Sequence, residues 1–148
     1  MFIARRSSFL KRCRAWPKPQ NPDLAAAFTL HLEETRGQIE RIDQIVENGE
    51  LRLKRVKCAA MEGLVEESKE IIEEVEAGAV RDAALIGAAQ KVEHYEIASY
   101  GTLAALAKQL GLTSALELLL STLAEEKSTD EKLSKLAQQD VNQAAGAK

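Results

Sequence analysis

The strongest constraint on the fold is the absence of proline over most of the chain. The sequence has 148 residues, and its three prolines occur at positions 17, 19 and 22. Because proline breaks the interior of a helix, the residues from Asp23 onward can form long, uninterrupted helices. Alanine, leucine, glutamate, lysine and glutamine, all of which favour helix, dominate that stretch. The sequence therefore predicts an all-α protein.

Apolar residues recur every three or four positions in four segments, which is the spacing of helices with one buried face. We predict helices over about 23–48, 58–76, 80–110 and 113–139. Asp23 stands near the N-cap of the first helix, and Asn48 and Gly49 are suited to a left-handed cap at its end. The acidic side of the short second helix is typical of a solvated face. Three long helices with short connections predict an antiparallel bundle.

In the last predicted helix, two carboxylates interrupt the apolar stripe. Glu126 and Asp130 lie between Leu123 and Leu133, and their spacing of four places them on the face that carries the leucines. A carboxylate among core positions costs free energy unless it is paired, protonated or bound to a metal. Pairing with lysines of a neighbouring helix is the alternative to a metal.

Two other helices carry polar residues within or beside their apolar stripes. These are His31, Glu34 and Gln38 in the first helix, and Gln90, Glu93, His94 and Glu96 in the third. Carboxylates that converge from several helices, with a histidine, are what a di-iron or di-manganese bundle requires. Such sites use Glu-x-x-His pairs, and none occurs at these positions. A surface position for His94 and a boundary position for Glu34 are therefore the alternatives to a metal site.

Charge and composition exclude several classes of function. Residues 1–20 contain six of the 20 Lys and Arg residues but none of the 23 Asp and Glu residues, so the remaining chain has a net charge of -9. This acidic body argues against a nucleic-acid partner. No apolar run is long enough for a transmembrane helix, and no phosphate loop, zinc spacing or nucleophile–base pair supports a kinase or hydrolase. Cys13 and Cys58 lack paired spacing, so we expect free thiols in a reducing cytoplasm.

Four phrases of the sequence resemble the bacterial YciE/YciF family of ferritin-like proteins. They are HLEETRGQIERIDQI at 31–45, CAAMEGLVEESKEIIEE at 58–74, AVRDAALIGAAQKVEHYEIASYGTLAALAKQLG at 79–111 and LAEEKSTDEKLSKLA at 123–137. The resemblance covers about residues 21–139, in the family's order and with similar spacing. It implies a ferritin-like antiparallel four-helix bundle with a short extra helix, which usually forms a homodimer and is associated with bacterial stress responses.

The resemblance also implies where a metal would bind. Carried onto this chain, the ferritin-like pattern gives six inward-facing candidates: Glu34, Gln38, Glu93, Glu96, Glu126 and Asp130. Iron or manganese is the expected metal. The first interpretation is a dimeric structural or protective bundle with at most a vestigial metal site. The alternative is a carboxylate-bridged di-iron or di-manganese oxidase or metal-binding protein, and whether the chain is an enzyme stays open.

The chain departs from the family before Asn21. Family members begin with a helix containing a phrase like AEKQ and then one like LPKMAKAA, whereas this chain has ARRSSFLKRCRAWPKPQ. One set of codons for residues 13–19, shifted by one base, gives LPSMAKA. We therefore hypothesise that, within the basic N-terminal segment of residues 1–20, the residues before about Pro19 are an out-of-frame reading of the family's first long helix, with the frame restored near Gln20. A genuine basic tail that contacts nucleic acid or anionic lipid is the alternative. Residues 21–139 then form the bundle domain, and 140–148 form a flexible tail.

The hypothesis makes a prediction about the gene. If it holds, the DNA upstream of the Asn21 codon, read one base out of frame, encodes a helix like that of the family. Sequencing the coding DNA across this region is the measurement. A shifted frame that encodes nothing similar to the family would show that the basic segment is genuine.

Overall fold

The computed structural model describes residues 18–50 and 57–147, and every regular element within them is a helix. The elements are α1 (Pro22–Asn48), α2 (Ala59–Glu74), α3 (Ala79–Gln109), α4 (Thr113–Leu136), a π-helical turn (Ala137–Val141) and α5 (Asn142–Gly146). The predicted all-α class is confirmed. The predicted N-terminal segment lies outside the described residues except for its last three. Among the helices described, none is long and apolar enough to cross a bilayer.

Local signals explain where α1 begins and how two helices end. The side chain of Asn21 accepts a hydrogen bond of 2.9 Å from the backbone N–H of Leu24, so the cap of α1 is Asn21 and not Asp23. After α1 the left-handed residue is Glu50, with φ of 49°, rather than the predicted Gly49. Gly111 ends the third helix as expected, with φ of 68°, a conformation that glycine adopts without strain.

The direction of the long helices follows from two apolar clusters, one at each end of the bundle. One end brings together Leu24, Ile86 and Leu133, and the other brings together Ile42, Ala104 and Leu119. Residue numbers therefore rise together along α1 and α3 and fall along α4, so α4 runs antiparallel to both. The connection from α1 to α3, which contains α2, crosses the length of the bundle. A single long crossover of this kind is the connectivity of ferritin-like folds.

α2 covers one side of α3 and leaves its acidic side in solvent. Val65 of α2 packs against Val92 of α3. Glu66 and Glu67 are exposed, as predicted, and pair with lysines. Just before α2, Cys58 is a free thiol whose Sγ lies 2.8 Å from the hydroxyl of Tyr95. These contacts attach the crossover to the bundle.

Polar residues occupy the middle of the bundle, between the two apolar clusters. The buried stripe of α4 is Leu119, Thr122, Glu126, Thr129 and Leu133, which is apolar at its ends and polar at its centre. The buried stripes of α1 and α3 change in the same way. We call the buried polar side chains at this depth the central polar layer: Thr35, Gln38, Glu93, Glu96, Thr122, Glu126 and Thr129.

Three leucines that follow the three- or four-residue spacing of the apolar stripes lie at the surface. They are Leu106, Leu110 and Leu120. The contact between α3 and α4 uses Ala107 and Leu119. Leu106 precedes Ala107, and Leu120 follows Leu119. Because neighbouring residues of a helix are about 100° apart around its axis, these two leucines face solvent. Leu110 is exposed because it follows the last residue of α3.

Beyond the predicted end of α4, the chain stays helical through Gly146, and buried Val141 belongs to the first apolar cluster.

A buried carboxylate attaches the start of α1 to the start of α3. Asp82 accepts hydrogen bonds from the backbone N–H groups of Gln20, at 3.2 Å, and Asn21, at 2.7 Å. It also lies in the first turn of α3, where the positive end of the helix dipole favours a negative charge. Asp82 therefore fixes the depth at which α1 begins relative to α3.

The contacts of Asp82 predict a stability effect. We expect Asp82→Ala to lower the free energy of unfolding by about 3 kcal/mol or more, because a hydrogen bond to a charged group contributes about 1.5–3 kcal/mol and Asp82 accepts two. Urea denaturation followed by circular dichroism measures this change. Asp43→Ala, at an exposed position of α1, should change stability by no more than about 0.5 kcal/mol. A loss at Asp82 as small as that control would contradict the proposed anchoring.

Candidate metal centre

Four potential metal ligands meet at the depth of the central polar layer. They are His31 from α1, Glu93 and Glu96 from α3, and Glu126 from α4, and one ligand atom from each lies within 4.8 Å of those of the others. The three carboxylate side chains are 2%, 3% and 0% exposed, in that order. The Nε2 atom of His31 lies 3.3 Å from Oε1 of Glu93. We call this group the four-ligand cluster.

The heptad spacing of the sequence explains why the four side chains meet. His31, Glu93 and Glu126 each lie seven residues from a member of the first apolar cluster, namely Leu24, Ile86 and Leu133. Seven residues are about two helical turns, or about 10 Å along the axis, so the three side chains reach the same depth. Glu96 follows Glu93 by three residues and shares its face of α3.

Burial and neighbouring carboxylates raise the pKa of Glu93. Loss of hydration is the largest cause, and the charge of Glu126, a hydrogen bond with it, and the charges of Glu96 and Asp130 follow. Together they raise the pKa of the Glu93 carboxyl from 4.5 to about 11, so it holds a proton at neutral pH. Its Oε2 atom is buried without a hydrogen-bond partner among the described residues. A bound cation would satisfy this oxygen.

The ring of His31 is oriented with Nε2 toward the cluster. Its Nδ1 lies 3.4 Å from Oγ1 of Thr129, and the same hydroxyl donates a 3.3 Å hydrogen bond to Glu34. We therefore assign the proton of the ring to Nδ1, which donates a hydrogen bond to Thr129, while Thr129 donates to Glu34. In this tautomer Nε2 keeps its lone pair, and the lone pair is directed at Glu93. Glu34 itself is partly exposed and lies 3.7 Å from Nζ of Lys132. It supports His31 from outside the four-ligand cluster.

Gln38 is fully buried about two helical turns beyond His31 along α1, and a partly buried ion pair fixes the orientation of its amide. Its Nε2 donates a 3.2 Å hydrogen bond to Glu125, which also accepts at 2.7 Å from Arg41. Because a carboxylate only accepts hydrogen bonds, the amide nitrogen must face Glu125. The Oε1 atom of Gln38 is then left buried, with no hydrogen-bond partner in the described ranges.

Asp130 lies at the edge of the cluster, toward solvent. Its Oδ1 accepts a hydrogen bond from Gln90 at 3.1 Å and lies 3.1 Å from Nε2 of His94. Of the six candidates from the sequence, three enter the four-ligand cluster: Glu93, Glu96 and Glu126. Of the other three, Glu34 and Asp130 flank it, and Gln38 lies farther along α1, where it is hydrogen-bonded to Glu125.

His31 is the cluster member that was not among the six candidates, although the sequence placed it beside the apolar stripe of its helix. The order at this position is His-x-x-Glu, the reverse of the Glu-x-x-His pair that marks di-iron helices. One feature of the sequence could have identified His31: it lies seven residues, or about two helical turns, after Leu24. It places the histidine on the buried face of α1.

The family model described as "Domain of unknown function (DUF892)" matches residues 14–146. Protein YciF of Escherichia coli (strain K12) is 64% identical over 126 residues, which is 84% of this chain and 76% of that protein. The crystal structure of the E. coli stress protein YciF has a TM-score of 0.86 and 56% identity, covering 95% of this chain and 89% of that one. YcfI, a putative structural protein from Rhodopseudomonas palustris, has a TM-score of 0.84 and 39% identity, covering 89% and 85%.

The Glu93 carboxyl predicts how the stability of the metal-free protein depends on pH. Its pKa is about 11 in the folded state and 4.5 as the ordinary value, so between these values the folded state binds one more proton than the unfolded state. The free energy of unfolding therefore falls as pH rises through this window, by up to about 1.4 kcal/mol per pH unit from this group. The contribution of Glu93 to the free energy of unfolding is therefore largest at the acid end of this pH window.

Glu93→Gln tests this prediction, because the amide is neutral at every pH and similar in shape. Between pH 6 and pH 8, with a chelator present, we expect the unmodified protein to lose about 2–3 kcal/mol more stability than the variant. Denaturant unfolding at the two pH values is the measurement. Glu117→Gln, an exposed position of α4, should behave as the unmodified protein does. Equal losses in Glu93→Gln and the unmodified protein would show that Glu93 is already ionised.

Proposed function

Because the chain belongs to the DUF892 family, and its relatives include an E. coli stress protein, we propose that it is a stress-response helical bundle whose interior binds a divalent metal ion, iron or manganese. The matches confirm the resemblance to the YciE/YciF family. The observation that carries the proposal is the four-ligand cluster, in which three buried carboxylates and a histidine meet.

The donor set and its spacing fit such an ion. One imidazole nitrogen and three carboxylate oxygens suit iron and manganese. Two ligands at about 2.1 Å from one ion are at most about 4.2 Å apart. The separation of 3.3 Å between His31 and Glu93 already lies in this range, and the largest spread of 4.8 Å needs only small side-chain movements.

The protein would contribute charge, a dry environment and fixed geometry. Binding would displace the proton of Glu93, so we expect the affinity to rise with pH. Thr129 and Glu34 would hold the ring of His31 in the ligand orientation. When bound, iron supplies one-electron chemistry toward dioxygen or peroxide.

Two other functions have specific support. A dinuclear oxidase typically draws six side chains, including two Glu-x-x-His pairs, and two further carboxylates, those of Glu34 and Asp130, flank the cluster. Four clustered donors fit one ion better. A purely structural role is supported by the relative described as a putative structural protein. A homodimer in the cytoplasm stays a prediction.

Metal titration tests these functions. We expect metal-free protein, titrated anaerobically with Fe(II), to bind about one ion per chain, whereas about two would support the dinuclear site. At 100 times the dissociation constant, the ion should stabilise the fold by about 2.7 kcal/mol, measured as a higher Tm. Glu126→Gln should abolish both effects, and Glu117→Gln, with the same charge change at an exposed position of α4, should retain them. No binding of Fe(II) or Mn(II) would leave only the structural role.

A further inference from the structure

An ion that binds at the four-ligand cluster has to pass between helices, because the carboxylates there are almost fully buried. In the described part of the chain, two partly exposed carboxylates flank the cluster. Glu34 lies beside it at the contact of α1 with α4, and Asp130 lies beside it at the contact of α3 with α4. These two flanks differ in their charges and contacts.

The Asp130 flank presents metal-binding groups in steps from solvent to the interior. The side chain of His94 is 68% exposed, that of Asp130 is 23% exposed, and Glu93 is 2% exposed. Asp130 lies 3.1 Å from His94, and its charge acts on Glu93. It also lies one turn from Glu126 along α4. A cation held by His94 and Asp130 is therefore next to two members of the cluster.

The Glu34 flank opposes the approach of a cation. The ammonium group of Lys132 lies 3.7 Å from Glu34, so a positive charge stands at its outer edge. Thr129 and His31 fill the space behind that carboxylate through their mutual contacts. On the other flank, His94 is the basic partner that Asp130 has among the described residues. Local charge raises the concentration of an oppositely charged ligand and repels one of the same sign.

We propose that His94 and Asp130 form the access route by which a divalent cation reaches the four-ligand cluster. The inference rests on the proposed metal-binding function and deepens it. The two side chains hold the ion transiently, and Glu93 and Glu126 then take it over. Gln90 keeps Asp130 in position through its 3.1 Å hydrogen bond.

An access route has a kinetic signature that a final ligand lacks. Ions enter and leave by the same path, so removing a transient site raises the barrier in both directions by the same amount. Association and release then slow by the same factor, and the dissociation constant changes little. Loss of a final ligand instead speeds release and weakens binding.

The experiment uses the full chain and Co(II), whose visible absorption reports binding in stopped flow. We expect Asp130→Asn to slow both association and chelator-driven release about tenfold, with less than a threefold change in the dissociation constant. His94→Gln, at a more exposed position, should slow both rates by a smaller factor. Glu131→Gln removes the same charge one residue away, at an exposed position, and should leave both rates within about twofold of the unmodified protein.

Several outcomes would overturn the access route. Equal slowing by Asp130→Asn and Glu131→Gln would indicate a general effect of charge. A large rise in the dissociation constant with unchanged association would make Asp130 a final ligand. Faster uptake in Lys132→Gln would place the route on the Glu34 flank. If the unmodified protein binds Co(II), Fe(II) and Mn(II) at equilibrium but no variant changes the rates, only this inference fails. If it binds none of them, the proposed metal function fails as well.

Discussion

Mutual repulsion among three buried carboxylates is the constraint on which the rest of the structure depends. Glu93, Glu96 and Glu126 lose their hydration in the interior, and their negative charges oppose one another. The bundle reduces this repulsion by keeping a proton on Glu93 and by placing His31 against it. Apolar clusters at both ends of the bundle hold the helices together while the centre remains unfavourable. Such an arrangement is expected where a site matters more than maximal stability.

Much of the fold was readable from the sequence because helices depend on local spacing. The boundaries of all four predicted helices agree with the structure to within a few residues, and the interrupted stripe of α4 identified Glu126. The parallel direction of α1 and α3 was not readable, because it depends on a crossover and not on local periodicity. That direction places His31 opposite Glu93. The exposed positions of Leu106 and Leu120 were hidden for a related reason, since a leucine pattern does not show which face meets a partner.

The structural and metal-binding interpretations are compatible at this site. The four-ligand cluster draws its donors from three helices, α1, α3 and α4, so an ion there would also join these helices. The same side chains would then serve stability and any redox chemistry. Neighbouring polar residues fix two of the buried side chains. Glu34, through Thr129, orients His31, and Arg41 with Glu125 orients Gln38.

The central polar layer also acts as a seam between two halves of the molecule. Each half has its own small apolar cluster, and the contacts among α1, α3 and α4 across the seam are polar and partly repulsive, while Val65 of α2 packs against Val92 of α3 at the same depth. Without an ion, opening of one end would leave the packing of the other end largely intact, so the chain would unfold in segments. An ion in the seam would couple the halves into one cooperative unit. Opening of one end alone would then be rarer in the metal-bound chain than in the metal-free one.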